Sequence, residues 1–398
     1  CYFWIEPEMI SGEGQTIGRV YFFNITGNVL GGILTGFLIL PVIGTEMTLI
    51  LYSSIGVLFG LFITGFSGKQ WRKRFRFGAV FLLLAVSVLF FPKAGQLYEV
   101  IHNSPGEEFS SYTEEGTSGI VITYQHDKGD IGAEQDRNPE SQSTVKHRYE
   151  DVEMYNFMNG LAHGHRPRYH YHFEIIEALG FNPDIKDVLV VGFGIGSLTE
   201  VILDMGDVRK LTLVEISGTL IKNLNKMSLF RNLLADHRLN LVIDDGRRYL
   251  FRSEDKYDLI TMHPLRSTTS YSNNLFCKEF FELAQKRMTP QGILLLRLTE
   301  SRVLPKTVLS VFKYVRMYDH FLLASDSPFQ AQEQVIANLF GRFPQEIQEH
   351  IYRSGYYVGD QDYIQKLTAR YPINTKWRPV SEYYLGLKVK EDLIYKKK

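Results

Sequence analysis

Cysteine is almost missing from this chain: Cys1 and Cys277 are the only two in 398 residues. That excludes a disulfide framework and a cysteine zinc site. Net charge is missing as well, since 44 Lys and Arg offset 44 Asp and Glu. No global field gathers a polyanion, so no nucleic-acid partner is expected. Internal repeats are absent. An initiator methionine is absent too. Cys1-Tyr2-Phe3-Trp4-Ile5 reads as the end of an earlier apolar segment, and the expectation is a piece of a longer membrane protein.

Charge is also absent locally. Residues 20–44 carry none, and neither do residues 47–68. Each run is long enough for a membrane-spanning helix, which needs roughly 20 apolar residues. Residues 77–92 form a third apolar run that reaches only about 24 Å as a helix, marginal for a crossing. Between the second and third runs, residues 69–76 hold five cations, Lys69, Arg72, Lys73, Arg74 and Arg76. Such a cluster reads as a cytoplasmic loop or a contact for anionic lipid. The expectation is an integral, multi-pass protein in contact with the bilayer, with its soluble part on the cytoplasmic side.

What the soluble part does have is the run VLVVGFGIGSL, residues 188–198. Four apolar residues lead into Gly192, Gly194 and Gly196, and apolar residues at helical spacing follow. Buried strand, glycine turn and helix N-terminus together make a nucleotide cradle, because glycine lets the backbone approach a ligand closely. Nineteen residues past Gly196, the next strand ends in Glu215, placed to accept ribose hydroxyls. The strand after that ends in Asp244-Asp245-Gly246, where an acid suits an adenine amino group. The alternative for either aspartate is a solvated loop carboxylate. The spacing G-x-G-x-G is tighter than the dinucleotide pattern, and no Walker lysine follows.

From residue 187 onward, strands (188–191, 211–214, 239–243, 257–262, 293–298) alternate with helices, the doubly wound pattern of a parallel sheet. A helix over 306–314 and a strand over 320–324 are expected next. Upstream, residues 119–124 and 155–160 read as strands, the second ending in an Asn-Gly turn, and 125–146 as a polar, mobile loop. The division expected is 1–95 transmembrane, 96–186 a small β-rich segment, 187–330 a Rossmann-like domain and 331–398 a C-terminal extension.

Taken together, VLVVGFGIGSLTEVI, LTLVEIS, LVIDDGRRYL, YDLITM and NLFCKEFFELAQKRMTPQGILLLRL resemble the spermidine synthase family. Residues 18–27 and the closing Ile373-Asn374-Thr375, Pro379 and Glu382-Tyr383 resemble its membrane-integrated subgroup. The resemblance implies an α/β fold of the class I AdoMet-dependent transferase type. It implies AdoMet or decarboxylated AdoMet as cofactor, with methylthioadenosine as product. Gly192, Gly194 and Gly196 would face its methionine-like part, Glu215 its ribose, and Asp244, Asp245 and Gly246 its adenine. Tyr171, His172 and Glu174 resemble the family's Tyr-His-Glu helix start, with Phe173 inserted.

The departures lie on the acceptor side. His263 stands where the family has a catalytic aspartate, and His163 where its turn has an amide. His165, Arg166 and Arg168 stand where acids would receive a polyamine. His263 remains as a general base, with an ordinary pKa near 6.5. His163, His165, His170 and His172 are crowded, but with Glu174 as their sole carboxylate neighbour no metal site is expected. The reading is a membrane-anchored aminopropyl or methyl transferase whose small-molecule acceptor is not an ordinary polyamine, with a homodimer allowed. The alternatives are an inactive adenosine-nucleoside sensor and the regulatory domain of a transporter-like protein.

Overall fold

Val188, Leu189, Val190 and Val191 put apolar side chains on both sides of an extended backbone, so their strand needs cover on both faces. The computed structural model supplies it; it describes residues 7–66, 78–79, 81–83, 97–98, 109–126, 153–166, 169–262, 271–298 and 302–382. The chain divides into two units, residues 1–104 with 113–120, and residues 105–112 with 121–398. The basic run 69–76, most of the third apolar run, most of the expected loop 125–146, and both Arg168 and His263 lie outside the described residues.

In the second unit, β5 (Asp187–Val191) is central in an eight-stranded sheet ordered β12-β10-β11-β9-β8-β5-β6-β7. β6 (Lys210–Glu215), β7 (Leu239–Ile243), β8 (Tyr257–Met262) and β9 (Met288–Arg297) run parallel with it. β10 (Tyr314–Tyr318), β11 (Phe321–Ser325) and β12 (Tyr357–Gly359) continue the sheet antiparallel from β9. Side chains alternate between two cores, as the period of a strand requires. Val188, Val190, Leu211, Leu213, Leu259 and Leu295 join one. Leu189, Val191, Val214, Ile260, Leu294 and Leu296 join the other. Helix His170–Phe181 packs on the first face and helix Lys278–Lys286 on the second.

The expected helix over 306–314 is shorter and earlier, Val303–Leu309. The residues after it become β10, because Val315 and Met317 alternate with Arg316 and pair with β11. That period of two suits a strand rather than a helix. The strand expected at 320–324 runs one residue later, Phe321–Ser325.

A second sheet, β1-β2-β3-β4, comprises β1 (Phe109–Gly116), β2 (Gly119–His126), β3 (Met154–Met158) and β4 (Leu161–Arg166). Asn159 and Gly160 join β3 to β4 with φ of +50° and +80°, the type I′ geometry that Asn-Gly favours. Asn223 fastens helix Gly218–Leu224 to this sheet: its amide donates to the carbonyls of Tyr112 (2.7 Å) and Val121 (3.2 Å) and it accepts from Thr123 Oγ1 at 2.7 Å.

The first unit holds helices Pro7–Leu34 and Leu40–Phe66, joined by a π-helical turn at Thr35–Ile39. The run Gly14–Gly60 is long and apolar enough to cross a membrane. At Gly44 the backbone leaves the helical region (φ +75°, ψ 171°), and the carboxylate of Glu115 accepts from Thr45 N (2.6 Å) and Thr45 Oγ1 (2.8 Å). That carboxylate serves the free donors where the helix restarts, as an N-cap does.

Candidate active site

The strand order brings the ends of β5, β6 and β7 to one edge, where open α/β sheets take ligands. After β5, Gly192, Gly194 and Gly196 have φ of +92°, +58° and +73°, a region that side-chain-bearing residues rarely adopt. Their surroundings differ. A Cβ on Gly196 would lie 2.9 Å from the Phe193 ring, whereas one on Gly194 would meet no atom within 4 Å. Gly196 is therefore required by packing as well as by φ, and Gly194 faces open space. Gly192 N donates to Val214 O at 2.8 Å and ties the loop to β6. Gly196 then caps helix Ser197–Met205. Gly246 is of the packing kind: a Cβ there would overlap Val191 Cγ1.

Glu215 ends β6 and reaches back under the loop. Its Oε2 accepts from Phe193 N at 2.8 Å and its Oε1 from Ser217 N at 2.7 Å. Burial pushes its carboxyl up, against the pull of those backbone donors. Each oxygen keeps acceptor capacity beyond these bonds. At the end of β7, Asp245 Oδ1 accepts from Arg248 N at 2.8 Å and caps helix Gly246–Arg252. Asp244 pairs with the Arg248 guanidinium, which holds its carboxyl below the ordinary carboxylate range. Two residues escaped the sequence reading. Ile216 and Ile243 are 63% and 50% exposed at neighbouring strand ends. Isoleucine directly after Glu215 and directly before Asp244 is the signal that was there to read. Exposed apolar side chains beside fixed acids suit a flat, partly apolar ring with a polar edge.

The described residues expected on the acceptor side differ in exposure. His163 is half-buried on β4, and His263 is outside the described residues. His172 is only 2% exposed, its ring edge-on to Phe343 with centroids 5.2 Å apart. Burial lowers its pKa to about 4, so the imidazole is neutral. Glu174 is 0% exposed, with Oε1 3.3 Å from His320 Nε2. Neither side chain is presented to solvent. Burial works against a charged His320, but hydrogen bonds to Asp319 (2.7 Å) and Glu174 override it and raise its pKa to about 9.

Arg166 corrects an expectation. Expected beside an incoming amine, it is 4% exposed and bonded through Nη2 to Glu200 Oε2 at 2.5 Å. Its charge is answered inside the protein, because an unpaired guanidinium at that depth would cost several kcal/mol. The closing motif is also structural. Asn374 donates to Asn273 Oδ1 (2.7 Å) and Phe276 O (2.9 Å), and Glu382 accepts from the backbone N–H groups of Tyr271 (3.0 Å) and Asn273 (3.2 Å).

Residues 170–318 match the spermine/spermidine synthase domain. The chain is similar to a polyamine aminopropyltransferase of Oceanobacillus iheyensis, 24% identical over 296 residues, covering 72% of this chain and 52% of that protein. A polyamine aminopropyltransferase of Bacillus mycoides is 31% identical over 136 residues, 34% of this chain and 49% of that protein. The chain spans about half the length of these curated relatives. Among solved structures, the spermidine synthase of Thermotoga maritima aligns over 65% of this chain and 86% of its own, with 17% identity and a TM-score of 0.46.

Proposed function

We propose that this chain is a membrane-anchored, spermidine synthase-like group transferase. It holds AdoMet or decarboxylated AdoMet, with methylthioadenosine as the product of the latter, and serves a small-molecule acceptor. One observation carries the reading: a loop of three left-handed glycines, with the carboxylate of Glu215 held beneath it between Phe193 N and Ser217 N. Bound there, such a cofactor supplies an electrophilic carbon beside a sulfonium centre.

The chain's own residues do the positioning. Gly194 leaves room for close backbone approach, and the fixed oxygens of Glu215 have capacity left for ribose hydroxyls. Ile216 and Ile243 wall a base whose amino group meets Asp245. Its neighbour Asp244 is held by Arg248, which makes Asp245 the better partner. The acceptor reading, something other than an ordinary polyamine, rests on His163 and on His263 as the base that would take the acceptor's proton. Arg166 no longer supports it. Anchoring rests on the two charge-free runs, here taken as two crossings with the transferase part cytoplasmic, where AdoMet is made. An adenosine-nucleoside sensor is the second reading, favoured by the histidine at the aspartate position.

Isothermal titration of the full chain with AdoMet, decarboxylated AdoMet and methylthioadenosine tests the core of this. Binding of at least one, weakened about tenfold or more in Glu215→Gln, is expected from the loss of charge-assisted hydrogen bonds. Absence of binding by all three refutes it. Turnover with a panel of amine and carboxylate-bearing acceptors then separates transferase from sensor, and sedimentation in detergent reads whether the chain dimerises.

A further inference from the structure

A second strand-end arginine is treated unlike Arg166. Met262 of β8 lies beside Leu296 of β9, so Arg297 stands one residue beyond the last position paired with β8 and opposite Phe321 of β11, on the edge that also carries the glycine loop. The order β9-β8-β5 puts two strand spacings, about 10 Å, between Arg297 and that loop. Alternation along β9 puts it on the face of Ile293 and Leu295, which helix His170–Phe181 covers. There Arg297 Nη1 lies 2.7 Å from His170 Nε2. A guanidinium cannot accept, so His170 receives the bond as a neutral imidazole with its proton on Nδ1. The guanidinium carbon lies 5.9 Å from the centre of the Tyr171 ring.

Arg297 is half-buried, and among the described residues no carboxylate lies within ion-pair distance of it. The nearby acids Glu174 and Asp319 both face His320. Its hydrogen-bond partner is uncharged, so its full charge and the rest of its planar fork remain. His170 also opens a twelve-residue helix with no acid in its first turn and no side-chain cap on its first N–H groups. The positive end of that helix adds to the same field. Among the described residues this partly desolvated positive charge has no counter-ion; such a charge attracts an anion, and the fork matches a carboxylate with two parallel bonds.

We propose that Arg297, held by His170 at this helix N-terminus, is the carboxylate-binding residue of the transferase cleft, on its acceptor side. The proposal rests on the transferase reading above. It names the acceptor class: an amine that carries a carboxylate, one end reacting and the other gripped. A carboxylate has two sources here, the acceptor and the methionine part of intact AdoMet. The separation of Arg297 from the glycine loop favours the acceptor.

The test compares 4-aminobutyrate with putrescine, which share a four-carbon chain and differ in one charged end. With methylthioadenosine saturating the full chain, 4-aminobutyrate is expected to bind at least about tenfold more tightly, the scale of one charge-assisted bond. Arg297→Gln removes that preference and Arg297→Lys keeps part of it, with unfolding midpoints recorded for both variants. A second arm compares AdoMet with decarboxylated AdoMet. A preference for AdoMet that Arg297→Gln abolishes supports the same residue acting on the cofactor's own carboxylate. No carboxylate preference in either pair, or a preference unchanged in Arg297→Gln, overturns the proposal. If the wild type binds none of methylthioadenosine, AdoMet and decarboxylated AdoMet, the transferase reading falls. The amine pair measured without nucleoside then judges Arg297 on its own.

Discussion

Arg166 and Arg297 each sit at the end of a strand, and the two regions around them handle positive charge in opposite ways. Under the glycine loop, Arg166 is buried against Glu200 in the first turn of helix Ser197–Met205, and the pair helps hold the loop's own helix. At the end of β9, Arg297 is half-buried and leans on a neutral histidine. The first arrangement is complete without a ligand. The second keeps a charge available. Position at a strand end therefore does not make a cation functional; what decides is whether the fold has already answered it.

The largest expected effect breaks this comparison at Arg166. Arg166→Met leaves Glu200 buried without its partner and should cost about 3–5 kcal/mol in denaturant unfolding, most of it regained when Glu200→Leu is added. Arg297→Gln should stay within about 1 kcal/mol of wild type, because among the described residues no charged partner is left behind. Equal losses at the two sites would erase the distinction.

On the nucleotide side, Glu215→Ala should weaken methylthioadenosine binding by about 1.5–3 kcal/mol in titration calorimetry. Within the loop, Gly196→Ala should lower stability by about 1–3 kcal/mol, since it adds a clash with Phe193 to an unfavourable φ. Gly194→Ala meets no neighbour, so it should spare more of the fold while still weakening the nucleoside. A Gly194→Ala protein that binds normally would show that the open space is not the ligand's.

A further expected effect is a pH dependence. His320 is raised from 6.5 to about 9, so its contribution to stability is complete below pH 6.5 and lost as pH climbs through 9. His172 is lowered from 6.5 to about 4, so its contribution is complete above 6.5 and lost as pH falls toward 4. Thermal midpoints should therefore decline on both sides of about pH 6.5. His320→Gln should flatten the alkaline side and His172→Phe the acid side. An unchanged alkaline slope in His320→Gln would remove the ion cluster from the account.

Much of this was legible in the residues before any fold. The glycine turn, Glu215 and Asp245 could be read as candidates because each lies at or just past the end of a strand, and local pattern fixes both the strand and what comes after it. The Asn159-Gly160 turn and the parallel strands were legible for the same reason. The sequence by itself determined the period and charge of each segment: which runs are buried strands, which carry no charge, and where the chain must turn. Tertiary structure alone decided which charges remain in play. Arg166 and Glu200 lie 34 residues apart, Arg297 and His170 lie 127 apart, and His320 meets Glu174 across 146. Whether a cation is neutralised or exposed depends on distance and burial, which act through space, so no spacing along the chain could separate the arginine that builds the loop from the one that waits for a ligand.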